Sequence, residues 1–170
     1  MAFDLYRHRL PHARVDGGLY FVTWRLSERL ADLSEQERDL VASSVRHFDG
    51  RRYALHAYVV MNDHVHVIVI VEPHPDFPLE NILHSWKSFS AKRIGGHRQQ
   101  LGAIWQDEYF DRVIRNDVEY HEKRDYILDN PFRRWPALEA YRWCWAIGME
   151  RTGTPLRGVA GETPAPLSEK

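Results

Sequence analysis

The stretch from Tyr53 to Glu72 restricts the fold more than any other part of the chain. It is rich in β-branched and aromatic residues and contains neither proline nor glycine. It is too long for one strand, since strands usually run ~5–6 residues. Asn62-Asp63 in its middle is a turn signal. The pattern predicts a hairpin with strands near 53–60 and 64–72. Val67 to Val71 is apolar at every position, so both faces of the second strand are covered. A sheet with only one covered face is thereby excluded.

The other segments supply the covering. Tyr20, Val22, Trp24 and Leu26 alternate with Leu19, Phe21, Thr23 and Arg25 in a first strand. Ser34 and Glu37 form a capping box, and Leu40, Val41, Val45 and Phe48 make the stripe of a first helix that ends at Asp49-Gly50. Leu79, Ile82, Leu83, Trp86, Phe89 and Ile94 recur at helical spacing over 79–94, and Gly95-Gly96 is the predicted stop. Residues 104–114 read as a loop and a further strand. Asn116 is the predicted cap of a third helix, which Pro131 ends after Asn130. The aromatic stretch 132–150 is expected to wrap the domain. The order β-α-β-β-α-β-α predicts an α+β fold of the ferredoxin-like split βαβ kind, an antiparallel sheet with helices packed on it.

Composition narrows the class. The chain has 170 residues, 44% hydrophobic and 28% charged, which fits one folded domain of about 1–150. Residues 151–170 hold three prolines and three glycines with little apolar content, and a disordered tail is expected there. Cys144, the one cysteine, excludes a disulfide framework or a Cys-rich zinc module. The formal charge is −1 with ten histidines uncounted, so any nucleic-acid site must be a local patch. No apolar run approaches the ~20 residues of a membrane span, and no signal peptide is expected, since the N-terminal residues lack its apolar region. A cytoplasmic protein without membrane contact is expected.

The patch is visible. Between Asn81 and Ile104 lie Lys87, Lys92, Arg93 and Arg98 and no acid. Lys87, Lys92 and Arg93, with the strand arginines Arg112 and Arg115, are candidate phosphate contacts. Among the tryptophans, Trp86 falls on the apolar helical stripe and reads as core. Trp105 is the better candidate to stack on an unpaired base.

His64-Val65-His66 carries the chemistry. Residues two apart on a strand share a face, roughly 7 Å apart, so the two imidazoles converge and supply half of a transition-metal site. Tyr126 and Asn130, four apart on the third helix, share a face as well, an amide oxygen beside a phenol. Such a pair can offer a ligand and a nucleophile together. Tyr109 and Tyr120 are the competing tyrosines. Tyr120 has Arg124 four residues on, and Tyr109 lies in strand context.

These motifs resemble the Y1 (HUH) tyrosine transposases of the IS200/IS605 type, and most closely the REP-associated tyrosine transposase branch. Val59 to Val69, centred on His64-Val65-His66, resembles the family's histidine strand. Arg9-Leu10-Pro11-His12 with Tyr20-Phe21-Val22-Thr23 resembles the branch's opening. His84 to Lys92 resembles its basic helix, Trp105 to Arg112 its fourth-strand signature, and Tyr126 to Pro131 its tyrosine helix. The likeness runs in order over roughly residues 5–146. Two stretches depart. The turn is Met61-Asn62-Asp63 where the family usually has Met-Pro-Asn, and Phe132-Arg133-Arg134-Trp135 replaces the commoner ending of the tyrosine helix.

The resemblance implies an HUH endonuclease that cuts and rejoins single-stranded or hairpin DNA, including REP-like palindromes. It implies Tyr126 as nucleophile through a 5′-phosphotyrosine, and His64, His66 and Asn130 as ligands of a divalent ion, Mg²⁺ or Mn²⁺. Monomer and homodimer both stay open. A domesticated copy that binds hairpin DNA without cutting is the alternative. A small-molecule phosphoesterase fits less well, because few acids lie near the two histidines.

Overall fold

The computed structural model describes the backbone of residues 4–8 and 10–14 and the whole of residues 17–149. The expected tail, 151–170, lies outside the described residues. The elements are β1 (Asp4–His8), β2 (Leu10–Arg14), β3 (Gly18–Leu26), α1 (Glu35–Arg46), β4 (Ala54–Val60), β5 (His64–Val71), α2 (Leu79–Arg98), β6 (Trp105–Val113), α3 (Asp117–Arg134) and β7 (Cys144–Ala146).

The main sheet has the order β6-β3-β5-β4-β7, with every neighbouring pair antiparallel. Its first four strands, with α1 and α2, are the ferredoxin-like split βαβ arrangement. β1 and β2 form a separate antiparallel hairpin. That hairpin and β7 extend the predicted order. β7 is only three residues long, and its ladder depends on β4, where Ala57, Tyr58 and Val59 pair with Ala146, Trp145 and Cys144. The segment expected to wrap the domain therefore includes an edge strand.

Alternation along β3 and β5 divides the molecule into two layers. On one face Trp24 pairs with Val65, Val22 with Val67 and Tyr20 with Val69. This face is covered by α1 and α2, with Trp24 stacked on Trp86 of α2 at 5.8 Å between ring centroids. On the other face lie Phe21, Thr23 and Arg25 opposite Ile68, His66 and His64, under α3.

Two helix ends differ from expectation. α2 passes through Gly95 and Gly96 and stops at Gln99, whose φ of 51° is left-handed. A glycine inside a helix costs only about 1 kcal/mol. The added turn carries Arg98 to a two-pronged bond with Glu37, both contacts 2.6 Å, and to the carbonyls of Ala31 and Asp32. α3 likewise continues through Pro131 to Arg134. Proline there cannot donate to the Ile127 carbonyl. That oxygen instead faces the Cys144 thiol of β7 at 3.6 Å, and the Trp135 amide closes the last turn on the Pro131 carbonyl at 2.8 Å.

The predicted caps are present. Glu37 N–H donates to Ser34 Oγ at 3.3 Å while Ser34 N–H donates to Glu37 Oε2 at 2.8 Å, and Glu119 N–H donates to Asn116 Oδ1 at 2.9 Å.

Candidate functional site

The site lies on the α3 face, at the β5 end nearest the Asn62-Asp63 turn. That turn is pinned by its backbone. Leu26 N–H donates to the Asp63 carbonyl, Leu33 N–H to the Asn62 carbonyl and Met61 N–H to the His64 carbonyl, each at 2.8 Å. Asn62 Nδ2 also donates to Asp32 Oδ2 at 2.7 Å. The first residue of β5 is thus delivered in a fixed orientation.

The two imidazoles follow, 4.7 Å apart between ring centroids. Each is held through Nδ1. His64 Nδ1 lies 2.6 Å from Asp63 Oδ1, and His66 Nδ1 lies 2.6 Å from Thr23 Oγ1 across the β3–β5 ladder. His66 Nε2 is buried without a hydrogen-bond partner. Burial first, then the neighbouring His64 and the cations Arg25 and Lys123, push the His66 pKa down to about 3. The ring is therefore neutral at physiological pH. A neutral imidazole fixed through Nδ1, with a buried and unused Nε2, has the form of a metal ligand held by an outer group.

Tyr126 stands over this pair. Its ring centroid is 5.2 Å from that of His66 and 6.2 Å from that of Phe21, both edge-on. It is 38% exposed, open to a substrate on one side and packed on the other. Asn130 sits one turn further along α3 and is among that helix's buried residues. Among the described residues no cluster of three or more His, Cys, Asp or Glu side chains is assembled. Asn130 stands on the helical face that carries Tyr126 and could add an amide oxygen to the two imidazoles.

Three cations border the His66 and Tyr126 rings, none of them evident from sequence. Arg25 pairs across the ladder with His64. Lys123 Nζ lies 5.2 Å from the Phe21 ring centroid, and the Arg133 guanidinium 5.9 Å from that of Tyr126. They come from β3, from the middle of α3 and from its last turn, so no local run of charge announces them. Arg133 also belongs to the stretch that departs from the family pattern.

The basic residues predicted from sequence are placed elsewhere. Lys87, Lys92 and Arg93 belong to α2, on the opposite face of the sheet from His66. Lys87 Nζ donates to the carbonyls of Gln106 at 2.7 Å and Asp107 at 3.0 Å, tying α2 to β6. Lys92 and Arg93 are exposed, and Arg93 lies over Phe89. Arg112 is on the α3 face but paired with Glu119, and Arg115 is exposed in the turn before α3. Trp105 corrects the expectation of a base-facing ring. It is 4% exposed, packs edge-on against Trp24 and donates from Nε1 to Ser90 Oγ at 3.0 Å. The register shift between Trp24 and Leu26 places it opposite Leu26 in the core. Trp86 is core as predicted, 1% exposed.

Of the competing tyrosines, Tyr120 is half-buried and 3.4 Å from His56 Nδ1, away from the histidine pair. Tyr109 pairs with Trp24, on the other side of the sheet from His66.

Comparison with known proteins identifies the family and the fold. Residues 19–130 match the family model described as "Transposase IS200 like". A REP-associated tyrosine transposase of Escherichia coli (strain K12) is 28% identical over 131 residues, which cover 76% of this chain and 75% of that protein. A solved structure of a REP-associated tyrosine transposase bound to a REP hairpin superposes with a TM-score of 0.61. It is 25% identical, and the match covers 78% of this chain and 74% of that one.

Proposed function

We propose, from the premise that the chain belongs to the IS200-like transposase family, that it cuts and rejoins single-stranded or hairpin DNA through Tyr126. The observation that carries this reading is the buried, unpartnered His66 Nε2 beside the Tyr126 ring. A buried ring nitrogen with no partner, next to a half-open phenol, has a direct chemical use.

His64 and His66, through Nε2, and the Asn130 amide oxygen are the residues that would hold a divalent ion, Mg²⁺ or Mn²⁺. Two imidazoles with one amide oxygen suit Mn²⁺ or a similar ion better than Mg²⁺, which prefers oxygen ligands. When bound, such an ion acts as a Lewis acid on the scissile phosphate.

The chain's own groups do the rest. Arg25, Lys123 and Arg133 neutralise the approaching phosphodiester and hold it near Tyr126. The Tyr126 oxygen attacks phosphorus in line. A bond forms between Oη and phosphorus, and the bond from phosphorus to the 3′ oxygen breaks. The phenolic proton is lost and the departing 3′ oxygen gains one. The products are a 5′-phosphotyrosine and a free 3′-hydroxyl. The aryl ester retains the energy of the broken linkage, so a 3′-hydroxyl can reverse the step without ATP. Phe21, packed against both the His66 and Tyr126 rings, keeps the phenol at its station.

The relative solved with a REP hairpin makes hairpin DNA the first substrate to try. Incubation of end-labelled hairpin DNA with Mn²⁺, then denaturing electrophoresis and peptide mapping, tests the reading. A covalent adduct on Tyr126 is expected. An adduct on Tyr109 or Tyr120 overturns the assignment, and hairpin binding with no cleavage favours a protein that only holds the DNA.

A further inference from the structure

Asp63 stands outside the set of nucleophile and ligands above, yet it makes one of the shortest side-chain contacts in the site. Its Oδ1 lies 2.6 Å from His64 Nδ1, with His64 15% and Asp63 44% exposed. A carboxylate only accepts hydrogen bonds, so a contact of this length places the ring hydrogen on Nδ1. A neutral imidazole carries one such hydrogen, which leaves Nε2 with its lone pair free.

An aspartate at a hairpin turn usually bonds its own turn's amides. This one has its backbone engaged instead, with its carbonyl accepting from Leu26 N–H at 2.8 Å. The residue before it is clamped from a second direction by Asp32, on a loop that Arg98 holds through the carbonyls of Ala31 and Asp32. The carboxylate is thus aimed across to its neighbour's ring by a supporting layer. A precise site needs this kind of support.

We infer that Asp63 is a positioning residue that commits His64 to the Nδ1–H tautomer and so presents Nε2 as a ligand. Thr23 sets the orientation of the second ring in the same way, through His66 Nδ1. A hydroxyl both donates and accepts, so Thr23 fixes where the ring points, while Asp63 also fixes where its hydrogen sits. This rests on the metal-binding reading of His64 and His66, and its test is arranged to be separable from it.

The test uses the full ¹⁵N-labelled chain without metal, above the pH range in which imidazole titrates. Spectra that correlate ring nitrogens with ring carbon-bound protons report the tautomer of each histidine, and His64→Ala assigns the His64 signals. The native chain and Asp63→Asn, whose amide oxygen still accepts, are expected to show the Nδ1–H form. Asp63→Ala is expected to show a mixture of both tautomers and to bind Mn²⁺ about tenfold more weakly by calorimetry. An unchanged tautomer and an unchanged Mn²⁺ isotherm in Asp63→Ala overturn the inference. Undiminished Mn²⁺ binding by His64→Ala would instead remove the metal reading, and the tautomer in the metal-free chain would then decide the role of Asp63 alone.

Discussion

The two faces of the central sheet are built from the same strands, and they put their polar atoms to different uses. On the α1–α2 face Trp24 Nε1 is buried without a partner, but the polar groups around it are chained together. Trp86 Nε1 donates to Tyr53 Oη at 2.9 Å, and Tyr53 in turn donates to the Val45 carbonyl at 2.7 Å. Trp105 donates to Ser90, which passes its own hydrogen to the Trp86 carbonyl at 2.7 Å. On the α3 face the buried His66 Nε2 has no partner, Tyr126 is half open, and three cations gather around them. The first face is a core that happens to contain polar groups. The second keeps a polar group in reserve, and a buried unsatisfied atom is tolerated where it serves chemistry. His66 and Val65 are neighbours on one strand, so the whole contrast turns on the two-residue period of β structure.

The contrast predicts that damage on the α3 face removes chemistry and damage on the other face removes stability. The largest effect is expected from Tyr126→Phe, with cleavage of hairpin DNA falling to background. His66→Ala should cost at least about a hundredfold in cleavage. Both should melt within a few degrees of the native chain in a thermal denaturation scan. A loss of fold in either would make the α3 face structural after all. Next in size, Trp86→Ala should lose about 3–5 kcal/mol of stability in urea titration, with cleavage per folded molecule preserved.

The cations test the comparison more finely. Replacing Arg25, Lys123 and Arg133 with Ala should weaken single-stranded DNA binding and flatten its salt dependence by about 0.7 in logarithmic slope for each phosphate that is no longer neutralised. Replacing Lys92 and Arg93 should change it less. The opposite ranking, read from binding isotherms at several salt concentrations, would put the DNA on the α2 side. The smallest effect concerns acid. The Arg98 guanidinium holds the Glu37 carboxyl below its ordinary 4.5. A depressed carboxyl pKa adds stability that is complete above that value and is lost as pH falls through the folded-state pKa. Glu37→Gln should therefore lower the melting temperature by a few degrees at neutral pH and by less in acid. A constant offset at every pH would mean that the charge is not what matters.

The parts of this molecule legible in sequence are those whose signal is local. The histidine pair, the Ser34–Glu37 box, the Asn116 cap and the burial of Trp86 each need only a few neighbouring residues to be recognised. β7 is not legible, because three residues make a strand only when β4 offers its edge. Trp105 misleads for a related reason. The strand around it is polar at Gln106, Asp107 and Glu108, and only a register shift against β3 turns its ring inward. Arg25, Lys123 and Arg133 escape notice because charge proximity in space leaves no trace when each residue lies on a different turn or strand. The longest basic run points instead to α2, where Lys87 and Arg98 serve the packing of helices and loops.

The proline in α3 has a practical consequence. The carbonyl it leaves unpaired faces the chain's single thiol, Cys144, and burial pushes that thiol's pKa up. A thiol-specific reagent can reach the buried sulfur only when its cover opens, and α3 is part of that cover. The labelling rate of native protein therefore becomes a clock for opening of that cover, which includes the helix that carries Tyr126, with no probe to be engineered and no competing site. If DNA fastens that helix to the sheet, the clock should slow when hairpin DNA is added, and by the same factor at every reagent concentration in the regime where closing outpaces labelling.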